Sequence, residues 1–197
     1  MSTRVPGSNL SLVAVVAAAL LLPACSIHES REQGGNKKVD IKTPFGSLKV
    51  NTDVDAAETG LPVFPGATRK EKSESDKGAA NVNINSEMFG LKVAVVEFQT
   101  DQSPQKVLDF YKDKLKTYGP VLECRDTAYM SYSRKDPDSD RGSDDPVTCD
   151  RGAVHGEAVQ LKVGTQARQH VVAVKPHGDG SYFALVYVQT RGKAKTM

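Results

Sequence analysis

Residues 182–188, Tyr-Phe-Ala-Leu-Val-Tyr-Val, are apolar at odd and even positions alike. Successive side chains of a β-strand point to opposite faces of the sheet, so a strand of this composition needs a cover on both faces. Residues 93–96, Val-Ala-Val-Val, repeat the pattern on a shorter scale. Both segments are therefore predicted to be central strands of a sheet.

Shorter apolar segments separated by turn residues predict several more strands. Residues 39–51 alternate between apolar and polar around Thr43-Pro44-Phe45-Gly46, which predicts a β-hairpin with Pro at the first central position of its turn. The remaining predicted strands are 80–86, 91–99, 121–125, 128–133, 158–163, 171–175 and 182–189, with turns at 87–90 and 176–180.

One long helix is predicted between residues 103 and 119. Ser103 offers a side-chain oxygen as N-cap, Pro104 suits the first helical position, and Gly119-Pro120 ends the helix. Its apolar residues form one stripe and the residues between them are charged. The stripe, predicted to be core, is Leu108, Tyr111, Leu115 and Tyr118; Lys106, Asp109, Lys112 and Lys116 are predicted to face water.

This pattern predicts an α+β fold: a largely antiparallel β-sheet with one long α-helix packed on it, plus an N-terminal β-hairpin. Residues 39–191 are expected to form a single globular domain, and residues 192–197 a disordered tail. A single helix covers only one face of the sheet. The candidates for covering the other face are the hairpin 39–52, a second chain or a ligand.

The first 24 residues have the three parts of an export signal: a basic start with Arg4, an apolar run over residues 10–22, and then Pro23 and Ala24 before a cysteine. The run is shorter than the roughly 20 residues that span a bilayer. Leu22-Pro23-Ala24-Cys25 resembles the lipobox of bacterial lipoproteins. The resemblance implies that Cys25 carries lipid and becomes the first residue of the mature chain. An ordinary cleaved signal and an uncleaved anchor are the alternatives.

The residue directly after that cysteine is Ser26, and a serine there resembles the pattern of lipoproteins that are sorted outward. It implies a cell-envelope location, at the outer membrane if the source has two membranes. The polar residues 26–38, with two adjacent glycines, are predicted to form with Cys25 a flexible tether over residues 25–38. Such a tether would hold the domain an r.m.s. distance of roughly 20 Å from the lipid.

Cys124 and Cys149 are the remaining cysteines. In an exported chain an even pair predicts a disulfide bond. The competing interpretation is a reactive Cys124 thiol acting with one of His155, His170 or His177.

Residues 136–145 alternate acids as calcium loops do, but Arg141 and Val147 stand where such a loop needs Gly and a bidentate acid. A solvated acidic loop over residues 134–148 is therefore the favoured interpretation, with weak calcium binding left open. Residues 178–182, Gly-Asp-Gly-Ser-Tyr, lack the spacing of a nucleophile elbow. The three dispersed histidines form no metal pair. The sequence accordingly predicts no catalytic, cofactor-binding or metal residue.

Charge is nearly balanced: without residues 1–24, which contain Arg4 as their only charged residue, 25 basic residues face 24 acidic ones. Nucleic-acid binders concentrate a basic excess on one face, whereas here the two signs are interleaved. Nucleic acid is thus excluded as an expected partner. The expected partners are the membrane, through the lipid anchor, and an envelope protein or a second copy of the chain.

Two segments carry a family resemblance. Residues 61–67, Leu-Pro-Val-Phe-Pro-Gly-Ala, and residues 103–115, which contain Ser-Pro, Val107 and Phe110-Tyr111, resemble uncharacterised bacterial envelope lipoproteins. In these a "PVYPGA"-like segment precedes a strand and an "SP..V..FY...L" helix. The resemblance covers about residues 61–122, and it implies no reaction and no functional residue.

Two functions follow as hypotheses. One is a membrane-anchored, non-enzymatic envelope protein that binds through its sheet. The other is a periplasmic or surface hydrolase, or a metal-dependent enzyme, whose site is assembled from residues far apart in the sequence.

Overall fold

Ten strands form one antiparallel sheet in the computed structural model, which describes residues 26–31, 37–70, 79–125, 144–149 and 156–192. The strand order is β1-β2-β3-β5-β6-β10-β9-β8-β7, and β4 pairs with part of β6. The strands are β1 (Ser26–Arg31), β2 (Lys37–Thr43), β3 (Gly46–Asn51), β4 (Thr68–Arg69), β5 (Ala79–Ser86), β6 (Gly90–Thr100), β7 (Leu122–Arg125), β8 (Val159–Thr165), β9 (Arg168–His177) and β10 (Gly180–Arg191).

The two segments that are apolar on both faces lie in the middle of this sheet, as predicted. β10 pairs with β6 from Ser181 opposite Thr100 to Arg191 opposite Gly90, and its other side pairs with β9. Turns at 87–89 and 178–179 join β5 to β6 and β9 to β10. The predicted strand 128–133 lies outside the described residues.

Helix α1 (Pro104–Leu115) continues into a 3-10 turn, Lys116–Tyr118. The predicted stripe is confirmed in part: Leu108, Tyr111 and Leu115 are buried, but Tyr118 is 44% exposed and its hydroxyl donates to the Gly60 carbonyl. Ser103 is the N-cap residue and Pro104 opens the helix, as predicted, but the Ser103 side chain makes no capping hydrogen bond. Its carbonyl instead accepts from the Val107 amide.

The core lies between one face of the sheet and the helical segments. Helix α1 packs on β8, β9 and β10, and the 3-10 helix Ala56–Thr59 packs on β6 and β10. Phe183 stacks on Phe98 with ring centroids 5.3 Å apart, and Phe64 packs edge-on against Phe110. The α+β fold with one helix and an antiparallel sheet is therefore confirmed.

An ion cluster ties helix α1 to β7. The Glu123 carboxylate receives the Lys112 ammonium at 2.7 Å and the Arg125 guanidinium at 2.6 Å. These contacts, led by the hydrogen bond from Lys112, lower the pKa of Glu123. The Lys112 side chain, predicted to face water, thus holds the helix to the edge of the sheet.

The N-terminal hairpin is confirmed as β2 and β3, but it does not cover the sheet. Val50 of β3 pairs with Val82 of β5, so the hairpin continues the sheet sideways. Cross-strand pairing satisfies the backbone hydrogen bonds of β3, which a hairpin laid across the face would leave for water. Covering by the hairpin, one of the three predicted options, is therefore wrong.

The predicted tether is also wrong over Ser26–Arg31, because these residues form strand β1 and pair with β2 from Ser26 opposite Lys42 to Arg31 opposite Lys37. The edge of β2 offers unpaired backbone groups that a polar segment can satisfy without burying side chains. Ile27, the single apolar side chain of β1, is 71% exposed.

The predicted disulfide is present. Cys124 of β7 and Cys149 are bonded, with Cα atoms 5.5 Å apart, so the Cys124 sulfur is no free nucleophile. The bond holds the segment Asp144–Cys149 on the sheet beside β8, where the Val147 amide donates to the Gly164 carbonyl at 3.3 Å.

Replacing Cys124 and Cys149 together with Ala should lower the free energy of unfolding by about 3 to 4 kcal/mol, because the open chain regains loop entropy. The melting temperature should fall by roughly 10 °C. Differential scanning calorimetry of the double variant measures this, with the reduced wild-type protein as the matched comparison. Rapid labelling of both thiols in the native, oxidised protein would contradict the bond.

Candidate binding surface

The central strands present valines on the side of the sheet away from helix α1. Leu185 of β10 is fully buried in the core, so its neighbours Val186 and Val188 point to the opposite face. They stand directly across from Val95 and Val93 of β6. All four are half-buried.

The same register carries this apolar surface through the N-terminal strands. Val93 stands beside Val82, Val82 beside Val50, and Val50 beside Val39. A second row runs parallel to it. The open face is defined here as the apolar side chains of both rows and of the central strands: Ile27, Val39, Ile41, Leu48, Val50, Ala80, Val82, Ile84, Leu91, Val93, Val95, Val171, Ala173, Ala184, Val186 and Val188.

The other side of the N-terminal strands is polar. Asp40, Lys49 and Asn83 lie side by side there, with the Lys49 ammonium 3.8 Å from the Asp40 carboxylate. The hairpin and β5 are thus amphipathic, and their apolar side belongs to the sheet face opposite the one on which helix α1 packs. Contiguous exposed apolar surface of this kind marks sites of interaction in soluble domains.

Within the described residues, a cover is found only at the far edge of this face. The segment Asp144–Cys149 lies there, and the Lys162 ammonium, on the same side as Val171, donates to the Thr148 carbonyl at 3.1 Å. This contact and the disulfide close the face near β7 and β8. From β1 to β10 the described part of the chain places no helix or strand over it.

A groove of about 170 Å³ indents the open face where β9 and β10 pair. The surface is indented there because the directly paired Ala173 and Ala184 have short side chains, and Ala158 borders them. The Lys70–Glu97 ion pair, 3.3 Å long, lies on its rim. An apolar group of modest size fits such a floor.

One end of the groove is aromatic and basic. The His177 ring stacks on the Tyr182 ring, with centroids 3.8 Å apart and planes 17° from parallel. The ammonium groups of Lys70 and Lys175 lie 5.3 and 5.6 Å from the centre of the Tyr182 ring, within cation–π range. This end therefore suits a ligand or partner with a polar or anionic group next to an apolar one. We name this cluster, with the alanine floor, the Tyr182 groove.

The residues weighed as catalytic candidates do not converge. His170 is buried, and its Nδ1 donates to the Thr59 carbonyl at 2.9 Å between the rings of Tyr118 and Tyr187. His177 is exposed in the Tyr182 groove. The Ser181 hydroxyl is buried and donates to the Gln102 carbonyl at 2.7 Å.

Cys25, His155 and residues 134–143 of the acidic loop lie outside the described residues. Of the loop's remainder, Asp144 and Asp145 are exposed and Val147 is buried. Among the residues that the structure describes, no three His, Cys, Asp or Glu side chains are grouped closely enough to hold a metal ion. No described helix has the length and apolarity needed to cross a bilayer.

Comparison with known proteins gives no relative: no family model, curated protein or solved structure matches the chain.

Sequence reasoning missed the Tyr182 groove, because Lys70, Glu97 and Lys175 come together only through strand pairing. The open face left a signal that could have been used. β5 alternates strictly, with Asn81, Asn83 and Asn85 on one side and Val82 and Ile84 on the other. Together with the alternation of residues 39–51, it shows which side of the N-terminal strands is apolar, but not that this side lies opposite the helix.

The stability of the fold should depend on pH through His170. Burial, and to a smaller extent the charge of Arg168, lowers the pKa of its imidazole below the usual value, against the opposing effect of the Thr59 hydrogen bond. As the pH falls through about 6.5, the imidazole of the unfolded chain binds a proton while that of the folded chain stays neutral. The contribution of neutral His170 to the free energy of unfolding is fully present above that pH and is lost as the pH falls toward the pKa of the folded state.

Melting temperatures between pH 7.5 and 5 should therefore fall less steeply for His170→Gln, which removes the titrating group, than for the wild-type protein. His177→Gln, at an exposed histidine, is the matched control and should follow the wild-type slope. Equal slopes for all three proteins would show that His170 does not carry the effect.

Proposed function

We propose that the chain is a bacterial lipoprotein, held at a membrane of the cell envelope through lipid on Cys25, that acts as a non-enzymatic binding protein. The single observation that carries the binding function is the open face, a continuous apolar surface from β1 to β9. The lipobox-like residues 22–25 and the apolar run before them support the anchor.

The partner is an apolar surface of another envelope component or of a second copy of the chain. Half-buried side chains lose further contact with water when a partner covers them. Each Å² of apolar surface removed from water in this way is favourable by about 25 cal/mol of transfer free energy. The Tyr182 groove gives the face one specific position, where a polar group of the partner can meet Lys70 or Lys175. A flat apolar face with one marked groove resembles the anatomy of protein interfaces, in which a few central residues dominate.

The anchor is tested by Cys25→Ala. The variant should incorporate no radiolabelled palmitate and should keep its first 24 residues, because the cysteine thiol is the lipid acceptor at the signal boundary. The wild-type chain and Cys124→Ala/Cys149→Ala, which keeps Cys25, serve as controls and should be labelled. Equal labelling of the Cys25→Ala variant would end the lipoprotein proposal.

The face is tested by a photo-cross-linking amino acid at Val82, with Asn83 as the matched control. The two positions are adjacent in β5, are both half-buried, and point to opposite faces of the sheet. Irradiation of cells should yield a defined adduct from position 82 and none from position 83, and mass spectrometry of the adduct separates another envelope protein from a second copy. Val50 and Lys49 of β3 offer a second adjacent pair on opposite faces, in which Lys49 is the more exposed residue.

Adducts of equal yield from positions 82 and 83, or none from position 82 and position 50, would contradict binding through the open face. The lipoprotein assignment would stand in that case, since palmitate labelling tests it separately.

A further inference from the structure

Three features lie at one end of the sheet. Ser26, the first residue of β1, pairs with Lys42 beside the turn that joins β2 to β3, and Gly46 after that turn pairs with Ser86. Ser86 begins the turn that joins β5 to β6. The start of β1 and both turns therefore project from the same edge, named here the anchor end because Cys25 directly precedes Ser26.

The anchor end carries the most exposed apolar side chains in the described part of the chain. Phe45 is 83% exposed at the tip of the first turn, Met88 is 85% exposed at the tip of the second, and Ile27 is 71% exposed in β1. Val63 and Tyr118, the other exposed large apolar residues of the described part, are 38% and 44% exposed. Exposure this high costs hydration free energy unless something apolar meets the side chain.

Hydrogen bonds fix both tips. The Phe45 amide donates to the Thr43 hydroxyl at 3.3 Å, and the same hydroxyl donates to the Gly46 carbonyl at 3.1 Å. In the second turn, the Ser86 hydroxyl donates to the Phe89 carbonyl at 2.9 Å and accepts from its amide at 3.0 Å. The backbone of both turns is therefore held in place at the positions that carry Phe45 and Met88.

The covalent chain brings this end close to the proposed lipid. Consecutive Cα atoms are about 3.8 Å apart, so Cys25 can lie no further than that from the first residue of β1. Neighbouring strands are spaced by about 4.8 Å, which places both turns within about 20 Å of β1 across the sheet. Because Ser26 already belongs to the sheet, no flexible tether separates the lipid from the anchor end.

We propose that the anchor end rests on the lipid bilayer, with Phe45 and Met88 inserted at the interface beside the lipid on Cys25. This inference rests on the proposed lipid anchor. Lipid is favoured over a protein partner because the apolar groups are single side chains at separate tips, which suits insertion between head groups better than close packing against a flat surface. The exposed Lys42 and Arg191 flank the tips and outnumber Glu87, which favours anionic lipid.

In this orientation the strands run roughly along the membrane normal. β10 is 12 residues long and spans about 36 Å, with Arg191 at the anchor end and Gly180 at the other. Tyr182 then lies roughly 30 Å above the bilayer. The open face runs along the side of the molecule and stays accessible.

The chain contains no tryptophan, so a single introduced one reports its own depth. Phe45→Trp and Met88→Trp are compared with Asp179→Trp, at the exposed turn between β9 and β10 on the opposite end, and with Val63→Trp. Each lipidated, processed variant is reconstituted in vesicles of phosphatidylethanolamine and phosphatidylglycerol, with or without brominated acyl chains. Bromine should reduce the emission of the Phe45→Trp and Met88→Trp proteins about twofold and leave both controls unchanged.

The outcomes separate the two proposals. A wild-type protein that does not float with vesicles refutes the anchor, and with it the basis of this inference. A protein that floats while all four variants escape quenching, or are quenched alike, keeps the anchor and overturns the orientation.

Discussion

The antiparallel pairing of β6 with β10 is the constraint on which the rest of this structure depends. The two strands pair over eleven consecutive residues, and the segments 93–96 and 182–188 within them are apolar on both sides. The pairing therefore creates two apolar faces at once. Helix α1 and the 3-10 helix Ala56–Thr59 cover one of them. Since the described residues supply one long helix to a two-faced sheet, that part of the chain leaves the other face without a helix over it. Removing its valines would weaken cross-strand packing within the same two strands.

The N-terminal strands extend the open face and do not cover it. In β2, β3 and β5 the valines, isoleucines and leucine lie on the side away from the helix, while Asp40, Lys49, Asn83 and the core residue Ala79 occupy the other side. A register slip of one residue between β5 and β6 would exchange the two sides of β5 and place its asparagines beside the valines of β6. The observed register keeps the apolar rows continuous, so the surface is specified by pairing over four connected strands.

Much of the fold is predictable from local pattern. The alternation in residues 39–51, the stripe at Leu108, Tyr111 and Leu115, and the two-sided run 182–188 each identify an element correctly, because periodicity is a local property of the chain. Pairing partners are not local. Nothing in residues 26–31 distinguishes a tether from an edge strand, since β1 is held by backbone hydrogen bonds to β2 rather than by its side chains. For the same reason the hairpin's place beside β5 and the meeting of Lys70, Lys175 and Tyr182 could not be foreseen.

An exposed apolar face is an aggregation hazard for a freely diffusing protein, because copies can meet face to face in any orientation. The proposed lipid at the start of β1 would change that problem. With the anchor end on a bilayer, the strands stand along the membrane normal, and the open face meets only molecules that share the membrane or reach it from the side. The height of each residue above the lipid is then set by its position along the strand. A partner that contacts the Tyr182 groove must extend roughly 30 Å from the bilayer, whereas one that contacts only Ile41 and Leu48 need not leave the interface. In the proposed orientation, the direction in which the sheet is anchored thus selects partners by their reach as well as by their apolar surface.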